Sequence, residues 1–344
     1  MSQQNSQAQY IVGVDGGGTK THYALYESNG EAVDFLTSGA TNHESLEDGM
    51  TGTRNRLNHD FSTLMKKNHI HISQVKHAAL GLAGVDTKRQ HRVISQMLLD
   101  IGLTDFILCN DAYLGVKAGC PSGFGICAIN GTGFSVGGID IEGKLVQIGG
   151  FGSMSGDLGG GGQYSTDAFK AVYEHIYKDA PNTLLQKKIF DYANITDEAD
   201  FPEKLLEAIA EDKCDFSVIG RFVFDAADEG DIVSKDLIMS STKEYARSIS
   251  AAIDQLNFSS GEQLLPIEVA LAGSVFVKGY NNEQVGVLCD LLQARHPGYT
   301  IKISKLVSPP VLGALLWAFE PLFEKNKMPE HFRNSITESL HRFL

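Results

Sequence analysis

The stretch "YIVGVDGGGTKTHYALY" (residues 10–26) decides the fold. It begins with β-branched residues, passes one carboxylate and three glycines, and returns to an alternation of apolar and other residues, which is typical of strands. Because glycine has no Cβ, the backbone N–H groups of residues 16–18 can approach a ligand closely. The stretch therefore predicts two strands joined by a glycine turn, with Asp15 at its mouth and Thr19 and Lys20 just beyond.

Neither of two familiar phosphate-binding loops matches this turn. A P-loop requires G-x-x-x-x-G-K-[ST], but Gly18 is followed by Thr19, and Lys20 comes one place late. The dinucleotide fingerprint requires G-x-G-x-x-G and then a helix, but Thr21 stands at the third glycine position and a strand pattern follows. The sequence therefore predicts a hairpin that presents phosphate-binding groups.

Length, charge and cysteine usage limit the function classes. The 344 residues are enough for two domains, and the net charge of −13 argues against nucleic acid or an anionic membrane as a partner. The five cysteines form no C-x-x-C pair, and an odd number suits a reducing compartment. The N-terminal residues 1–9 are polar and unlike a signal peptide, and no apolar run is as long as a membrane helix. We expect a soluble cytoplasmic protein with no membrane partner.

The order of the elements predicts a duplicated α/β fold. Three strands over 10–37 are followed by alternating helices and strands, and three more strands over 123–150 start the pattern again. Later elements are helices over most of 159–257, strands at 265–274 and 299–304, and an apolar helix at 309–323. The βββαβαβα order is that of a ribonuclease-H-like domain, and two copies suggest a cleft between them.

The predicted boundaries follow from this repeat. We expect a disordered tail over 1–9, an N-terminal ribonuclease-H-like domain over 10–121, and a C-terminal one with a helical insertion over 122–325. A C-terminal helix over 326–344 completes the chain.

Five motifs in fixed order carry a resemblance over about residues 10–320. They are "VDGGGTKT" (14–21), "GATNHES" (39–45), "CNDAYLG" (109–115), "INGTGFSVGG" with "GGFGSMSGDLGGGG" (129–138 and 149–162), and "LAGSVFVKG" (271–279). Together they resemble the N-acetylglucosamine kinase branch of the actin-like sugar-kinase superfamily, which is grouped with the BadF/BadG/BcrA/BcrD ATPases. The resemblance implies two actin-like ATPase domains and an ATP-dependent kinase that makes the 6-phosphate of N-acetylglucosamine. It also implies an amino sugar, ATP and Mg²⁺ as ligands, and a homodimer.

The resemblance assigns the nucleotide site. Phosphoryl transfer requires cradles for the phosphates and a metal ion, and Asp15 would help to hold the Mg²⁺. The residues that correspond to ATP-binding positions are Gly16, Gly17, Gly18, Thr19, Lys20, Gly131, Thr132, Gly133, Gly273, Ser274 and Lys278. Each glycine cluster alone is equally typical of a tight β-turn, and Asp15 alone of a turn cap.

The resemblance also assigns the catalytic base and the sugar site. Asp111 follows a buried strand and corresponds to the base, although an aspartate there is also a common helix N-cap. Asp157 corresponds to an acid that binds sugar hydroxyls, or caps the helix after residue 159. The full set of substrate-binding positions is Asn42, Asp111, Phe134, Ser135, Gly150, Phe151, Gly152 and Asp157.

Two departures from the family pattern leave the sugar open. Phe134 stands where the family has serine, and Leu158 stands where it has an acid. Both changes make the sugar pocket more apolar, so kinases for glucosamine or N-acetylmuramic acid remain alternatives. The lactyl ether of N-acetylmuramic acid would suit the added apolar surface.

A second class, an activator ATPase of the wider group, remains open as well. Such activators hold an iron–sulfur cluster, which requires clustered thiolates, and the cysteines here are not closely spaced. His69 and His71 alternate as on the solvated face of a strand, and the acidic stretch 225–231 is typical of a helix turn; neither predicts a metal site.

Overall fold

The structure is a computed structural model that describes residues 8–324 and 328–343, so most of the tail expected over 1–9 lies outside the described residues. The first five strands are β1 (Tyr10–Gly16), β2 (Lys20–Glu27), β3 (Ala32–Gly39), β4 (Val75–Leu82) and β5 (Phe106–Cys109). The helices between them are α1 (Gly49–Lys67), α2 (Lys88–Ile101) and, after β5, α3 (Ala112–Gly119).

The rest of the chain repeats the three-strand start and then becomes helical. The strands are β6 (Gly125–Asn130), β7 (Phe134–Ile139), β8 (Leu145–Ile148), β9 (Ser259–Ser260), β10 (Gln263–Leu264), β11 (Ile267–Ala272) and β12 (Ile301–Lys305). The helices are α4 (Gly161–Lys178), α5 (Leu184–Ala193), α6 (Phe201–Ala210), α7 (Phe216–Asp228), α8 (Ile232–Gln255), α9 (Asn282–Arg295), α10 (Pro310–Phe319) and α11 (Glu330–Leu340). Among the described helices, none is long and apolar enough to cross a bilayer.

The two five-stranded sheets share one strand order. The first sheet runs β3-β2-β1-β4-β5, and the second, written from its other edge, runs β8-β7-β6-β11-β12. In the first, β1 is antiparallel to β2 and parallel to β4, and β4 is parallel to β5. In the second, β11 is parallel to β12. The expected α/β class and the two three-strand starts are confirmed, and β9 and β10 form a separate small hairpin.

Strand alternation decides which helices cover the first sheet. Val12 and Val14 point to the face that α1 and α2 cover, where they join Leu57, Phe61 and Ile94 in one buried cluster. The intervening residues of β1 point to the opposite face, and Ile11 joins the cluster there that includes residues of α10 and α11. The sheet is thus the middle of three layers, which buries both faces of the parallel strands.

The structure divides into two compact units. The first unit contains the chain up to Cys127, Gly137–Gln147 and the chain from Leu306 onward. The second unit contains Ala128–Val136 and Ile148–Lys305. These units are defined by how compactly the residues pack, whereas the expected domains were defined by the repeat of the strand pattern. The domain boundaries over 10–121 and 122–325 therefore remain a prediction.

Two local interpretations of the sequence are wrong in detail. His69 has a φ of 57° in the turn after α1, and His71 accepts a hydrogen bond from the Ser73 N–H as a helix cap, so neither lies on a strand. The acidic stretch is a helix turn only over residues 225–228, where α7 ends, and Asp231 at its other end caps α8. In both places a side chain, that of His71 or of Asp231, accepts a hydrogen bond from a nearby backbone N–H and forms a helix cap where a strand or a continuous helix turn was expected.

Candidate functional site

The glycine turn between β1 and β2 is open to solvent at its tip. Asp15 pairs with His22, and Gly16 with Thr21, so the predicted hairpin is confirmed. The turn is closed by a hydrogen bond from the Gly17 N–H to the Lys20 carbonyl, 2.9 Å long. Residues 18–20 are exposed. Their free backbone and side-chain groups are available to a ligand.

Close packing is what requires glycine in this turn. A Cβ on Gly18 would lie 2.7 Å from Ser45 Oγ, and one on Gly16 would clash with Thr41 Oγ1. Neither glycine is among the residues with positive φ, so the backbone conformation itself does not demand glycine. The loop after β3 therefore lies directly against the turn.

Asn42 belongs to this packed loop. Its backbone N–H donates to the Gly17 carbonyl at 3.3 Å, and its Oδ1 accepts a hydrogen bond from the Glu44 N–H at 3.0 Å. A Cβ on Gly84 would clash with the same Oδ1. The structure therefore places Asn42 between the glycine turn and the turn after β4, with its Nδ2 group as the remaining donor.

Three carboxylates follow the three parallel strands of the first sheet. Asp15 lies at the end of β1, Asp86 in the turn after β4, and Asp111 directly after β5 and Asn110. Because the carboxyl ends of parallel strands meet at one edge of a sheet, the three acids share that edge. Such an edge is where α/β proteins usually place their ligands.

Burial and the neighbouring carboxylates raise the pKa values of Asp15 and Asp111. Burial, with the negative charge of Asp111, raises the pKa of Asp15 to about 7, against a smaller opposing effect of Lys20. Burial, with the charge of Asp86, raises the pKa of Asp111 to about 6, against a smaller opposing effect of the Asp111 and Ala112 backbone N–H groups. Carboxyl groups whose pKa values are raised in this way are typical of general bases and metal ligands.

Asp111 stands at the N-cap position of α3 but makes no side-chain capping hydrogen bond. The backbone N–H of Ala112 is instead capped by Asn110, whose Oδ1 accepts from it at 2.9 Å. The alternative interpretation of Asp111 as a simple helix cap thus lacks the side-chain hydrogen bond that would define it, although the Ala112 N–H still acts to lower the pKa of Asp111. Its carboxylate remains available to a substrate.

In the second unit, three glycine segments meet backbone to backbone. The Gly161 N–H donates to the Gly131 carbonyl at 2.7 Å, and a Cβ on Gly160 would lie 2.6 Å from the Thr132 carbonyl oxygen. A Cβ on Gly273, whose φ is 89°, would clash with the Asn130 carbonyl. The turn at 131–133 is thus held against the start of α4 and the turn after β11.

The turn after β11 is not a regular α-helix start. Val275–Gly279 form a π-helical turn, a feature frequent at functional sites. Phe276 is buried, and its ring centroid lies 4.5 Å from that of Tyr245. Ser274 and Lys278 remain exposed. The buried aromatic ring thus anchors the turn and leaves the two polar side chains free.

A cavity of about 210 Å³ opens beside the glycine turn of the second unit. Its lining residues are Thr132, Gly133, Phe134, Gly150, Gly152, Asp157, Gly159 and Gln163. Phe134 is buried and stacks on Tyr245 with 4.3 Å between ring centroids, so it forms an apolar wall. Phe151 is 49% exposed and is not among the lining residues.

Asp157 orders the loop that borders this cavity. Its Oδ2 accepts hydrogen bonds from the N–H groups of Gly150 and Gly152, both 2.9 Å long. Since one oxygen holds the loop, the other is the one that can accept from a ligand. The Ser135 Oγ is buried and, within residues 8–324 and 328–343, has no hydrogen-bond partner.

Several residues at these sites were not predicted from the sequence. Asp86, Asn110 and Gln147 form a hydrogen-bonded group in the first unit, and Gln163 lines the cavity in the second. Asp86 carried a usable signal, because it follows a buried parallel strand as Asp111 does. An amide such as Gln147 carries no comparable signal, since its role depends on tertiary contacts alone.

The donor set suits Mg²⁺. Burial, and after it the negative charge of Asp111, raises the pKa of the Asp15 carboxyl, and a divalent cation would favour its ionised form. Mg²⁺ needs only one or two carboxylates when phosphates and water complete its shell. The lack of any cluster of three or more acidic, histidine or cysteine ligands in the described part of the chain is compatible with that requirement.

Comparisons with known proteins show one family match and two curated relatives. The sequence model of the BadF/BadG/BcrA/BcrD ATPase family matches residues 12–318. An N-acetylmuramic acid/N-acetylglucosamine kinase of Clostridium acetobutylicum is 25% identical over 261 residues, which cover 74% of this chain and 83% of the relative. An N-acetyl-D-glucosamine kinase of Dictyostelium discoideum is 24% identical, with 90% and 97% covered.

The fold is shared with solved structures. A candidate N-acetylglucosamine kinase from Chromobacterium violaceum superimposes with a TM-score of 0.63 at 22% identity, covering 90% of this chain and 98% of that one. A ROK-family glucokinase from Streptomyces griseus, solved with glucose and AMPPNP, gives a TM-score of 0.51 at 15% identity, covering 91% and 99%.

Proposed function

Because the chain belongs to the BadF/BadG/BcrA/BcrD ATPase family, we propose that it is an ATP-dependent sugar kinase that phosphorylates N-acetylglucosamine at its 6-hydroxyl. The observation that carries the proposal is the Asp111 carboxylate, which follows a parallel strand, makes no capping hydrogen bond to its own helix and lies at the same sheet edge as Asp15. The names of the two curated relatives support an amino sugar as the acceptor.

Asp111 acts as the general base. A primary alcohol keeps its proton at neutral pH, so attack on the γ-phosphorus requires an acceptor for that proton. With a pKa of about 6, Asp111 is ionised at neutral pH and yet more basic than an ordinary aspartate. It accepts the proton while the oxygen–phosphorus bond forms and the bond to ADP breaks.

The two glycine turns hold the phosphates. In the first unit, the exposed residues 18–20 supply backbone N–H groups, a hydroxyl and the Lys20 ammonium. In the second unit, the turn at 131–133 supplies a further set, and the motif with Gly273, Ser274 and Lys278 receives the nucleoside. When bound, Mg²⁺ neutralises developing charge on the phosphates, and Asp15 is the residue that would hold it.

The sugar contacts come from polar groups that the protein leaves unused. Asn42 retains its Nδ2 donor, Asp157 retains one oxygen, and the Ser135 hydroxyl is unpartnered within the described residues. The loop with Phe151 lies beside the cavity in the second unit. N-acetylglucosamine is preferred over glucose, because glucose leaves the groups that pair with the acetamide unmatched.

A second acceptor, N-acetylmuramic acid, is favoured by one observation. The wall of the cavity is the buried Phe134 ring, and nearby Leu158 is 39% exposed, so an extra lactyl group would meet apolar surface. Glucosamine, which lacks the acyl group, gains nothing from that wall.

We extend the proposal to the domain type, the cellular location and the oligomeric state of the protein. The shared strand order supports two ribonuclease-H-like domains of the actin-like type. All five cysteines are free thiols, which supports a cytoplasmic location. The homodimer remains a prediction.

A coupled ADP-release assay tests the proposal. The panel contains N-acetylglucosamine, N-acetylmuramic acid, glucosamine and glucose, each with ATP and Mg²⁺, and a sugar-free control for ATP hydrolysis. We expect the highest kcat/KM for N-acetylglucosamine. A tenfold higher value for N-acetylmuramic acid would establish the second acceptor, and ADP release that no sugar stimulates would refute the kinase.

A further inference from the structure

Asp86 is the hub of a partly buried hydrogen-bonded group that includes the residue before the proposed base. Its Oδ1 accepts from Asn110 Nδ2 at 2.9 Å and from Gln147 Nε2 at 2.7 Å. Its backbone N–H donates to Gln90 Oε1 at 3.1 Å, which fixes the turn after β4. The carboxylate thus ties three segments of the first unit together.

The partner that matters is Asn110, which is 4% exposed and directly precedes Asp111. Its Nδ2 is taken by Asp86, which forces its Oδ1 to face the other way, toward the Ala112 N–H. An asparagine amide can be flipped in the absence of such a partner. Asp86 therefore sets which end of the Asn110 amide caps α3.

Because the Ala112 N–H donates its hydrogen bond to Asn110, the Asp111 carboxylate does not cap α3. Helix N-termini attract a neighbouring carboxylate both as a hydrogen-bond acceptor and as a negative charge. If Asn110 did not cap Ala112, the Asp111 carboxylate would be the nearest acceptor for the N–H groups of the first turn. A carboxylate engaged there would turn away from the substrate and bind its protons less readily.

We propose that Asp86 is a positioning residue, which holds Asn110 as the cap of α3 and so keeps the Asp111 carboxylate free for the sugar hydroxyl. The inference rests on the proposed kinase function. It extends that function by a residue to which the family resemblance assigned no role.

The decisive comparison is Asp86→Ala with Asp86→Asn. Alanine removes the acceptor, so kcat should fall about 10- to 100-fold, the typical cost of a misplaced reacting group. The KM for the sugar should change less than about threefold, because Asp86 itself does not bind it. Asparagine keeps an Oδ1 acceptor for both amides and should restore kcat to within about threefold of the wild type. The matched control is Asp105→Ala, at the other end of β5, which should leave kcat unchanged.

A double-variant cycle shows whether Asp86 acts through Asn110. We expect Asp86→Ala and Asn110→Ala to lower kcat by similar factors, and the double variant to be no worse than either. Additive losses would overturn the inference. So would a raised sugar KM at unchanged kcat, which would make Asp86 a sugar ligand, or an Asp86→Asn variant as inactive as Asp86→Ala.

Amide hydrogen exchange separates this inference from the kinase proposal. Asp86→Ala should accelerate exchange at Ala112 and in the first turn of α3, while exchange in α2 stays as in the wild type. This readout does not depend on any sugar. If the wild-type protein phosphorylated no sugar of the panel, the kinase proposal would be refuted, and hydrogen exchange would still test whether Asp86 controls the capping of α3. Unchanged exchange at Ala112 in Asp86→Ala would overturn the inference even if the enzyme were active.

Discussion

Asp111 occupies a helix N-cap position without capping its helix, and this is what distinguishes it from the many aspartates at such positions. Its sequence context, "CNDAYLG", is compatible with both interpretations. The distinction depends on Asn110 and Asp86, of which the second is 25 residues away in sequence, and no local pattern predicts that contact. By contrast, Asp15 and the glycines of the first turn were predictable, because they interrupt a regular strand alternation.

Replacement of Asp111 by asparagine should abolish transfer and spare binding. Asparagine keeps the shape of the side chain and most of its hydrogen bonds but cannot accept the proton. General bases contribute about 10²- to 10⁴-fold, so we expect kcat to fall by at least that range. Sugar affinity, measured by calorimetry without ATP, should change less than about threefold. A variant with more than a tenth of the wild-type kcat would make another carboxylate the base.

The same substitution should stabilise the ligand-free protein at alkaline pH. The folded-state pKa of Asp111 is raised to about 6, so the folded protein binds more protons than the unfolded chain between about pH 4 and 6. The contribution of Asp111 to stability is thus fully present below the unfolded pKa and is lost as pH rises through the folded one. Asparagine carries no such penalty.

Thermal unfolding at two pH values measures this effect. At pH 8 we expect the Asp111→Asn variant to melt about 2–4 °C above the wild type, the shift that ~1 kcal/mol produces in a domain of this size. At pH 4 the two proteins should melt alike. An equal difference at both pH values would mean that the variant acts through packing and not through charge.

At the scale of elements, the strands were more predictable than the helical region. The strand alternation of β1 to β3 and the paired glycine turns locate both sheets, because each sheet has buried faces that restrict the pattern. The region 159–257 was predicted only as helical, and its division into α4 to α8 depends on caps such as Thr183 and Asp231. The π-helical turn after β11 is held by the buried Phe276 and had no sequence signal.

The meeting of glycine segments in the second unit predicts a sensitive position. Gly273→Ala introduces a Cβ against the Asn130 carbonyl at a positive φ, so the free energy of unfolding should fall by about 1–3 kcal/mol. The KM for ATP should rise, because the turn at 131–133 must shift. The matched control is Gly286→Ala within α9, where nothing lies within 4 Å of an added Cβ, and it should be neutral or stabilising by up to ~1 kcal/mol. Equal unfolding midpoints in urea for the two variants would contradict this prediction.

At the scale of the whole molecule, the first unit is assembled from distant parts of the chain. Helix α10 packs against β1 and α3, and a Cβ on Gly13 of β1 would lie 2.6 Å from the Leu315 N atom. A buried ion pair reinforces this arrangement, since Lys117 Nζ of α3 lies 2.7 Å from Glu320 Oε1 just after α10. The Lys117 ammonium also lies 5.0 Å from the Trp317 ring centroid.

Removal of one partner of this pair should destabilise the protein strongly. Glu320→Ala leaves the Lys117 ammonium buried without its carboxylate, which typically costs about 3–5 kcal/mol. The matched control is Asp191→Ala, which breaks the exposed Lys187–Asp191 pair and should cost less than about 0.5 kcal/mol. Urea unfolding compares the two variants. Similar losses would mean that solvent reaches the Lys117 ammonium.

The position of α10 in the first unit has a consequence for synthesis on the ribosome. The first sheet is translated early, but one of its faces is covered by a helix that begins only at Pro310. Until that helix leaves the exit tunnel, apolar residues such as Ile11 and Ala79 face water or a chaperone. The first sheet therefore cannot bury this face until almost the entire chain has been synthesised. A premature stop before α10 would release a fragment with an exposed apolar sheet face, which is prone to aggregate.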